Sequence, residues 1–201
     1  MLKIDCNKYT ISDESRYKTQ IAKTQIILAT SLRKDSNYIT RLLHKEYGKT
    51  KKWNTFTISR DGTIFQHYDP HFHTEFLGIK EVDKKSISVV IENMGCLFKT
   101  PNGKYINWLN EECPSENVVE KDFLGYHFWE DFTEDQFDSV IDLCGKLCKE
   151  HNIPKSMIDF HHYHKDTIKF RGIVFRSNYI EDSSDINPSF DIAKFNEMLH
   201  N

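Results

Sequence analysis

The stretch Ser86-Ile87-Ser88-Val89-Val90-Ile91-Glu92 decides the fold. A strand with one wet face alternates apolar and polar side chains, whereas Val89-Val90-Ile91 is apolar at consecutive positions. Both of its faces must therefore be covered, as in a parallel or mixed sheet packed between layers. Gln25-Ile26-Ile27-Leu28-Ala29 repeats the pattern and reads as a second buried strand. Between the two lie a helix and a hairpin. Asp35-Ser36 can cap a helix whose apolar positions are Ile39, Leu42, Leu43 and Tyr47, and Gly48 stops it. Trp53 to Ser59 and Thr63 to Tyr68 alternate around Arg60-Asp61-Gly62, a tight-turn sequence.

Downstream, Thr133-Glu134-Asp135-Gln136 is a capping box. It opens a helix with the stripe Phe137, Val140, Ile141, Cys144, Leu147 and Cys148, ended by Asn152 and Pro154. Gly172-Ile173-Val174-Phe175 reads as a further strand, and Pro188-Ser189-Phe190-Asp191 leads into a terminal helix. Residues 95–131 show little periodicity and read as a long inserted loop packed by Tyr105, Trp108, Phe123, Tyr126, Phe128 and Trp129. Loops of that length in compact domains usually serve function. Strands and helices intermix, so the class is α/β (α+β) with a central mixed β-sheet flanked by helices. Residues 1–23 read as a polar lead-in and 24–201 as one domain carrying the insertion.

Composition narrows the partners. Against 27 basic side chains stand 30 acidic ones, a net charge of −3, so bulk attraction to nucleic acid is not expected. The apolar runs fall far short of the roughly 20 residues a membrane span needs. The polar start, without an apolar leader, suggests a cytoplasmic protein. Five cysteines at irregular spacing form no CxxC pair; Cys144 and Cys148 read as small core residues. Ten histidines are the chemical feature to explain.

The succession of parts resembles a known family. The helix ending HKEYG, the hairpin FTISRDGTIFQHYD, the strand SISVVIEN, the helix running from FTEDQ to HNIP and the tail DINPSFD are similar to zinc-dependent N-acetylmuramoyl-L-alanine amidases. That group includes phage lysozyme-type amidases and the peptidoglycan recognition proteins. The resemblance spans roughly residues 24 to 196 and implies a central mixed sheet. It also implies zinc held by two His and one Asp or Cys, with an open fourth position at which the metal acidifies water.

The zinc set the resemblance implies is largely missing here. The first His belongs at the end of the first buried strand, where Ala29 and Thr30 stand. The second belongs at the end of the late strand, where Arg176 stands, a permanent cation that repels a metal. An alternative register puts that ligand at His161. The third matches Asp185, and the hairpin Tyr of phage-type members matches Asn54. At most Asp185 and His161 remain as metal ligands, and no cofactor is expected.

The leading expectation is thus an amidase-fold protein with a lost zinc site that binds a small-molecule or glycopeptide ligand, cell-wall fragment or nucleotide-like, in the former cleft. Its candidate ligand-binding residues are Asn54, His67, Arg176, Asn178 and Asp185. A second reading is metal-independent catalysis on nucleotide phosphodiesters, with His71, His73, His162 and His164 as acid–base candidates. A third is an amidase with an altered zinc site. Oligomeric state stays open.

Overall fold

The computed structural model of the 201-residue chain describes all residues except 1, 19–20, 35–36 and 48–49, and gives the backbone alone at 37 and 45–47. The expected helix cap at Asp35-Ser36 and stop at Gly48 lie outside the described residues, as does the side chain of Tyr47.

Six strands form the central sheet: β1 (Ile4–Asp5), β2 (Gln25–Thr30), β3 (Phe56–Ile58), β4 (Ile64–Gln66), β5 (Ser86–Ile91) and the late strand Gly172–Phe175. The order is β1, β4, β3, β5, β2 and then the late strand. β5 and β2 are central and parallel, paired from Gln25 with Ser86 to Thr30 with Ile91. The late strand runs parallel to β2, Phe175 standing beside Leu28. β3 is parallel to β5, and β4 returns antiparallel, so the sheet is mixed.

The expected hairpin is shorter than its alternation. Its turn is held by Gly62 N–H on the Ser59 carbonyl at 3.0 Å and Ser59 N–H on the Thr63 carbonyl at 2.9 Å. Gly62 has φ +76°, and a Cβ there would stand 2.7 Å from the Asp135 carbonyl oxygen. The turn is glycine for both reasons.

Both faces of the central strands are covered, as the continuous apolar runs require. Ile26, Leu28, Val89, Ile91, Ile173 and Phe175 pack against the helices Glu134–His151 and Ile192–His200. Ile27 and Val174, pointing the other way, pack with Val82 and Ile158. Two further helices, Asn37–Tyr47 (α1) and the short Lys80–Asp83 (α2), flank the sheet; Leu42 of α1 packs with Ile11, Trp53 and Tyr68. Each fully buried aliphatic or Phe side chain contributes about 1.5–3 kcal/mol of transfer free energy. Thr133 accepts from Gln136 N–H while the Gln136 side chain accepts from Thr133 N–H, so the capping box is formed. Every residue of the expected stripe is buried, both cysteines included. Asn152 ends the helix in the left-handed region, and Asp191 caps the terminal helix through Lys194 N–H.

The insertion differs from the expected loop. It is a second, five-stranded antiparallel sheet of β6 (Cys96–Lys99), β7 (Tyr105–Ile106), β8 (Glu112–Cys113), β9 (Val118–Phe123) and β10 (Tyr126–Glu130). That makes the late strand β11, and the two long helices α3 and α4. β7 and β8 have two residues each, too few to show a period, and β9 is half exposed along its whole length, so it lacks apolar contrast. The two ends of the insertion meet: Glu130 N–H donates to Gly95 C=O at 3.0 Å, and Asn93 Nδ2 donates to Glu130 C=O at 3.0 Å. Asn187 Nδ2 joins by donating to Asn93 Oδ1 at 2.8 Å.

The first 23 residues supply β1 to the sheet edge and bridge Tyr17 to His73. No helix among the described residues is long and apolar enough to cross a membrane.

Candidate functional site

β2, β5 and β11 are parallel, so their last residues share one end of the sheet. Thr30 is the last residue of β2, and Arg176 follows directly on β11. The chain then loops back to bring Asp185 to the same point. Thr30 N–H and the Thr30 hydroxyl both donate to Asp185 Oδ1, at 2.5 and 2.6 Å. Arg176 Nη2 forms an ion pair with Asp185 Oδ2 and donates to the Thr30 carbonyl at 3.2 Å. Ser177 N–H donates to the Asp185 carbonyl at 2.6 Å. The Asp185 side chain is 1% exposed and that of Arg176 22%. A carboxylate so buried needs every one of these partners, because an unpaired buried charge is strongly destabilising.

In the register that puts the second ligand at Arg176, the residues Thr30, Arg176 and Asp185 at the expected zinc end of the sheet are therefore adjacent and already bonded to one another. Guanidinium has no lone pair to offer a metal. Both Asp185 oxygens are engaged, and Thr30 spends its hydroxyl hydrogen on one of them. These residues do not fit a zinc ion. Among the described residues no group of three or more His, Cys, Asp or Glu is placed to hold a metal.

Two further ligand candidates belong to a buried chain of hydrogen bonds. Tyr38 OH donates to Asn54 Oδ1 at 2.8 Å, and Asn54 Nδ2 donates to Thr57 Oγ1 at 2.9 Å. Thr57 Oγ1 meets His67 Nε2 at 2.7 Å, and His67 Nδ1 meets the Tyr9 carbonyl at 2.8 Å. A carbonyl only accepts, so Nδ1 carries the proton and Nε2 accepts from Thr57. Burial pushes the His67 imidazole down to about 4, against the opposing pull of the Tyr9 carbonyl. Burial likewise pushes the Tyr38 phenol well up. Asn54 and His67 are thus fully paired and 0% exposed. Asn178 is equally buried: its amide donates to the carbonyls of Phe160 and His162, and its Oδ1 accepts from Phe175 N–H at 2.7 Å. Of the five ligand candidates, Arg176 alone presents part of its side chain to solvent, with its guanidinium 5.9 Å from the centre of the Phe76 ring.

The catalytic candidates fall at opposite ends of the sheet. His162 and His164 lie beside Asn178, at the end of β11: His164 N–H donates to the Asn178 carbonyl at 3.1 Å, and the His162 ring stacks on Phe160 at 4.3 Å. His164 caps a short 3-10 turn by accepting from Asp166 N–H at 3.3 Å. His71 and His73 lie at the start of the strands, roughly 17 Å away along six residues of β2. There His71 Nδ1 bonds Asp69 at 2.7 Å and faces His151 across 5.2 Å, while His73 stacks on Tyr17. The structure does not bring the four together.

A cavity of about 260 Å³ lies along the return loop that leads to Asp185, lined by Leu124, His161, His162, Tyr163, Glu181, Asp182 and Ser183; neither Arg176 nor Asp185 lines it. His161, on its wall, reaches the backbone next to Asp185. It lies flat on Phe175 at 5.5 Å and donates from Nδ1 to the Ile186 carbonyl at 3.0 Å. Burial pushes its pKa down. Leu124 comes from the second sheet, a contribution that a loop reading of 95–131 could not anticipate.

The profile described as N-acetylmuramoyl-L-alanine amidase matches residues 17–172. No curated protein matches the chain. Among solved structures, the chain is similar to the amidase LysC from Clostridium intestinale at 12% identity, covering 100% of this chain and 97% of that one with a TM-score of 0.56. It is similar to the endolysin amidase LysCS of the same organism at 14% identity, 100% and 97% coverage and a TM-score of 0.58. The Ph2119 endolysin from a Thermus scotoductus bacteriophage gives 9% identity, 98% coverage of each chain and a TM-score of 0.56. At such identities these structures speak for the fold alone.

Proposed function

Since the chain belongs to the N-acetylmuramoyl-L-alanine amidase family, we propose that it is a member in which an ion pair has replaced the zinc centre and which binds a cell-wall glycopeptide fragment without cutting it. The observation that carries this reading is the closure of Arg176 and Thr30 on both oxygens of Asp185. The guanidinium neutralises the one acid of the family's ligand set and holds the strand ends together, a structural task that zinc would otherwise perform. It cannot acidify a water molecule, so the amide bond keeps its barrier.

The ligand would lie in the cavity lined by His161 and His162. Glu181 and Asp182 on its wall disfavour a phosphate and suit the amino groups of a peptide, while Tyr163 offers an exposed ring on which a sugar face can rest. A cell-wall glycopeptide therefore fits better than a nucleotide. A nucleotide phosphodiesterase using the candidate histidines draws no support from their division between the two ends of the sheet.

The test combines metal analysis of the purified protein with calorimetric titration and turnover assays on a muramoyl tripeptide. The expected result is saturable binding, no stoichiometric zinc and no released peptide. Stoichiometric zinc together with chelator-sensitive cleavage would overturn the proposal.

A further inference from the structure

A larger cavity, of about 620 Å³, lies at the opposite end of the sheet from the ion pair, where β2 and β5 begin. Its wall is built by pairing the N-terminal segment with the loop after the hairpin. Tyr17 and His73 exchange two main-chain hydrogen bonds, at 2.8 and 3.0 Å, and their rings stack at 5.1 Å. We propose that this cavity binds a small organic phosphate.

Three ammonium groups, those of Lys18, Lys80 and Lys84, line the cavity, and none of them forms an ion pair among the described residues. Two more stand behind the wall. Lys51 Nζ lies 4.1 Å from the centre of the Tyr17 ring. Lys23 is buried, with Nζ donating to the carbonyls of Phe72 and Lys84 at 2.9 and 3.1 Å. The two acids at the cavity are already engaged. Glu75 accepts from Tyr17 OH at 3.0 Å, and Asp83 accepts from Leu77 and Gly78 N–H at 2.9 and 3.0 Å. Five cations against two occupied carboxylates leave the cavity positive.

His73 supplies the second observation. It lines the cavity, and its Nδ1 is buried without a hydrogen-bond partner. Nδ1 is turned into the wall, so it is the rest of the half-buried ring that the cavity meets. Burial, then Lys23, Lys84 and Lys51, hold its pKa below the ordinary imidazole value, which reports the same positive field.

The cavity's volume falls in the range of small-molecule sites, about 300–1,000 Å³, which suits a compact ligand rather than a polymer. Lysine acts on phosphate as a point charge and needs no fixed fork geometry, so three flexible lysines around one dianion are an adequate set. The site is separate from the glycopeptide cavity and does not depend on that reading.

Calorimetric titration with AMP as probe tests it, with adenosine and inorganic phosphate alongside. The expected result is saturable one-to-one binding of AMP, none of adenosine, weaker binding of inorganic phosphate, and displacement of the His73 imidazole NMR signals on addition of AMP. The pair Lys80→Ala with Lys84→Ala should weaken AMP by about tenfold or more, equivalent to about 1.4 kcal/mol. Glu181→Gln, in the other cavity, should leave it unchanged. Absence of saturable AMP binding, equal binding of adenosine or of inorganic phosphate, or unaltered affinity in the lysine variant would overturn the proposal.

Discussion

Arg176 and Asp185 form a charge pair at the point where two parallel strands of the central sheet end, and the carboxylate is the more deeply buried partner. Two consequences follow from that asymmetry. The pair holds the 177–187 return loop to β2, and its removal is felt mainly through the acid left behind.

Arg176→Met should therefore destabilise the protein by about 3 kcal/mol, because an uncompensated buried carboxylate remains. Replacing both partners, Arg176→Met with Asp185→Leu, should recover most of that loss. Urea denaturation of the two single variants and the double variant measures the coupling as a double-mutant cycle. Additive losses would mean that the pair is not an energetic unit.

The same geometry makes a metal site recoverable. Thr30 and Arg176 both contact Asp185, so Thr30→His with Arg176→His places two imidazoles around the freed carboxylate, a His₂Asp set. Zinc titration should show one-to-one binding by the double variant and none by the parent. A double variant that folds but takes up no zinc would show that the three positions do not converge as described.

Acid should destabilise the protein through His67. Its folded pKa of about 4 lies below the unfolded value of about 6.5, so the unfolded chain takes the proton first as pH falls. The contribution is complete above about pH 6.5 and is lost towards pH 4, to a limit of about 3 kcal/mol. Asp83, pushed up to about 6 by burial, acts with the opposite sign over part of that range. The difference in unfolding free energy between the parent and His67→Gln, followed from pH 7.5 to 4.5, isolates the histidine: the parent's advantage should shrink in acid. A constant difference would place the proton elsewhere.

At the other end of the structure, Thr133→Ala removes the cap of α3 and a bond from Thr133 Oγ1 to the Arg60 carbonyl at 2.8 Å. A loss of about 1 kcal/mol is expected in thermal or urea unfolding, the usual magnitude for an N-cap.

How much of this was legible in the sequence depended on the range of the interaction. β2, β5, the RDG turn and the capping box are local patterns, and each stands where its residues predict. β7 and β8 are held by pairing partners rather than by their own two residues, so nothing in 95–131 announced a sheet. Arg176 and Asp185 could be singled out only by laying the chain against a family pattern. That Thr30 binds Asp185 across 155 positions has no local signal. Asn54 was singled out through the family's hairpin position and His67 as a ligand candidate, but neither signal separates a ligand contact from a buried partner. The Thr57 hydroxyl between them makes the difference here.

The meeting of the two ends of the second sheet, Gly95 with Glu130 and Asn93, bears on how the chain could change over generations. A segment that leaves and re-enters at one point adds little chain entropy as it lengthens, about 0.6 kcal/mol for each doubling. Whole strands can be gained, lost or exchanged there while β5 and α3 keep their places. Since Leu124 from this appendage lines the cavity with His161 and His162, the interchangeable part is also the part that would reshape that cavity, leaving the central sheet as a fixed mount.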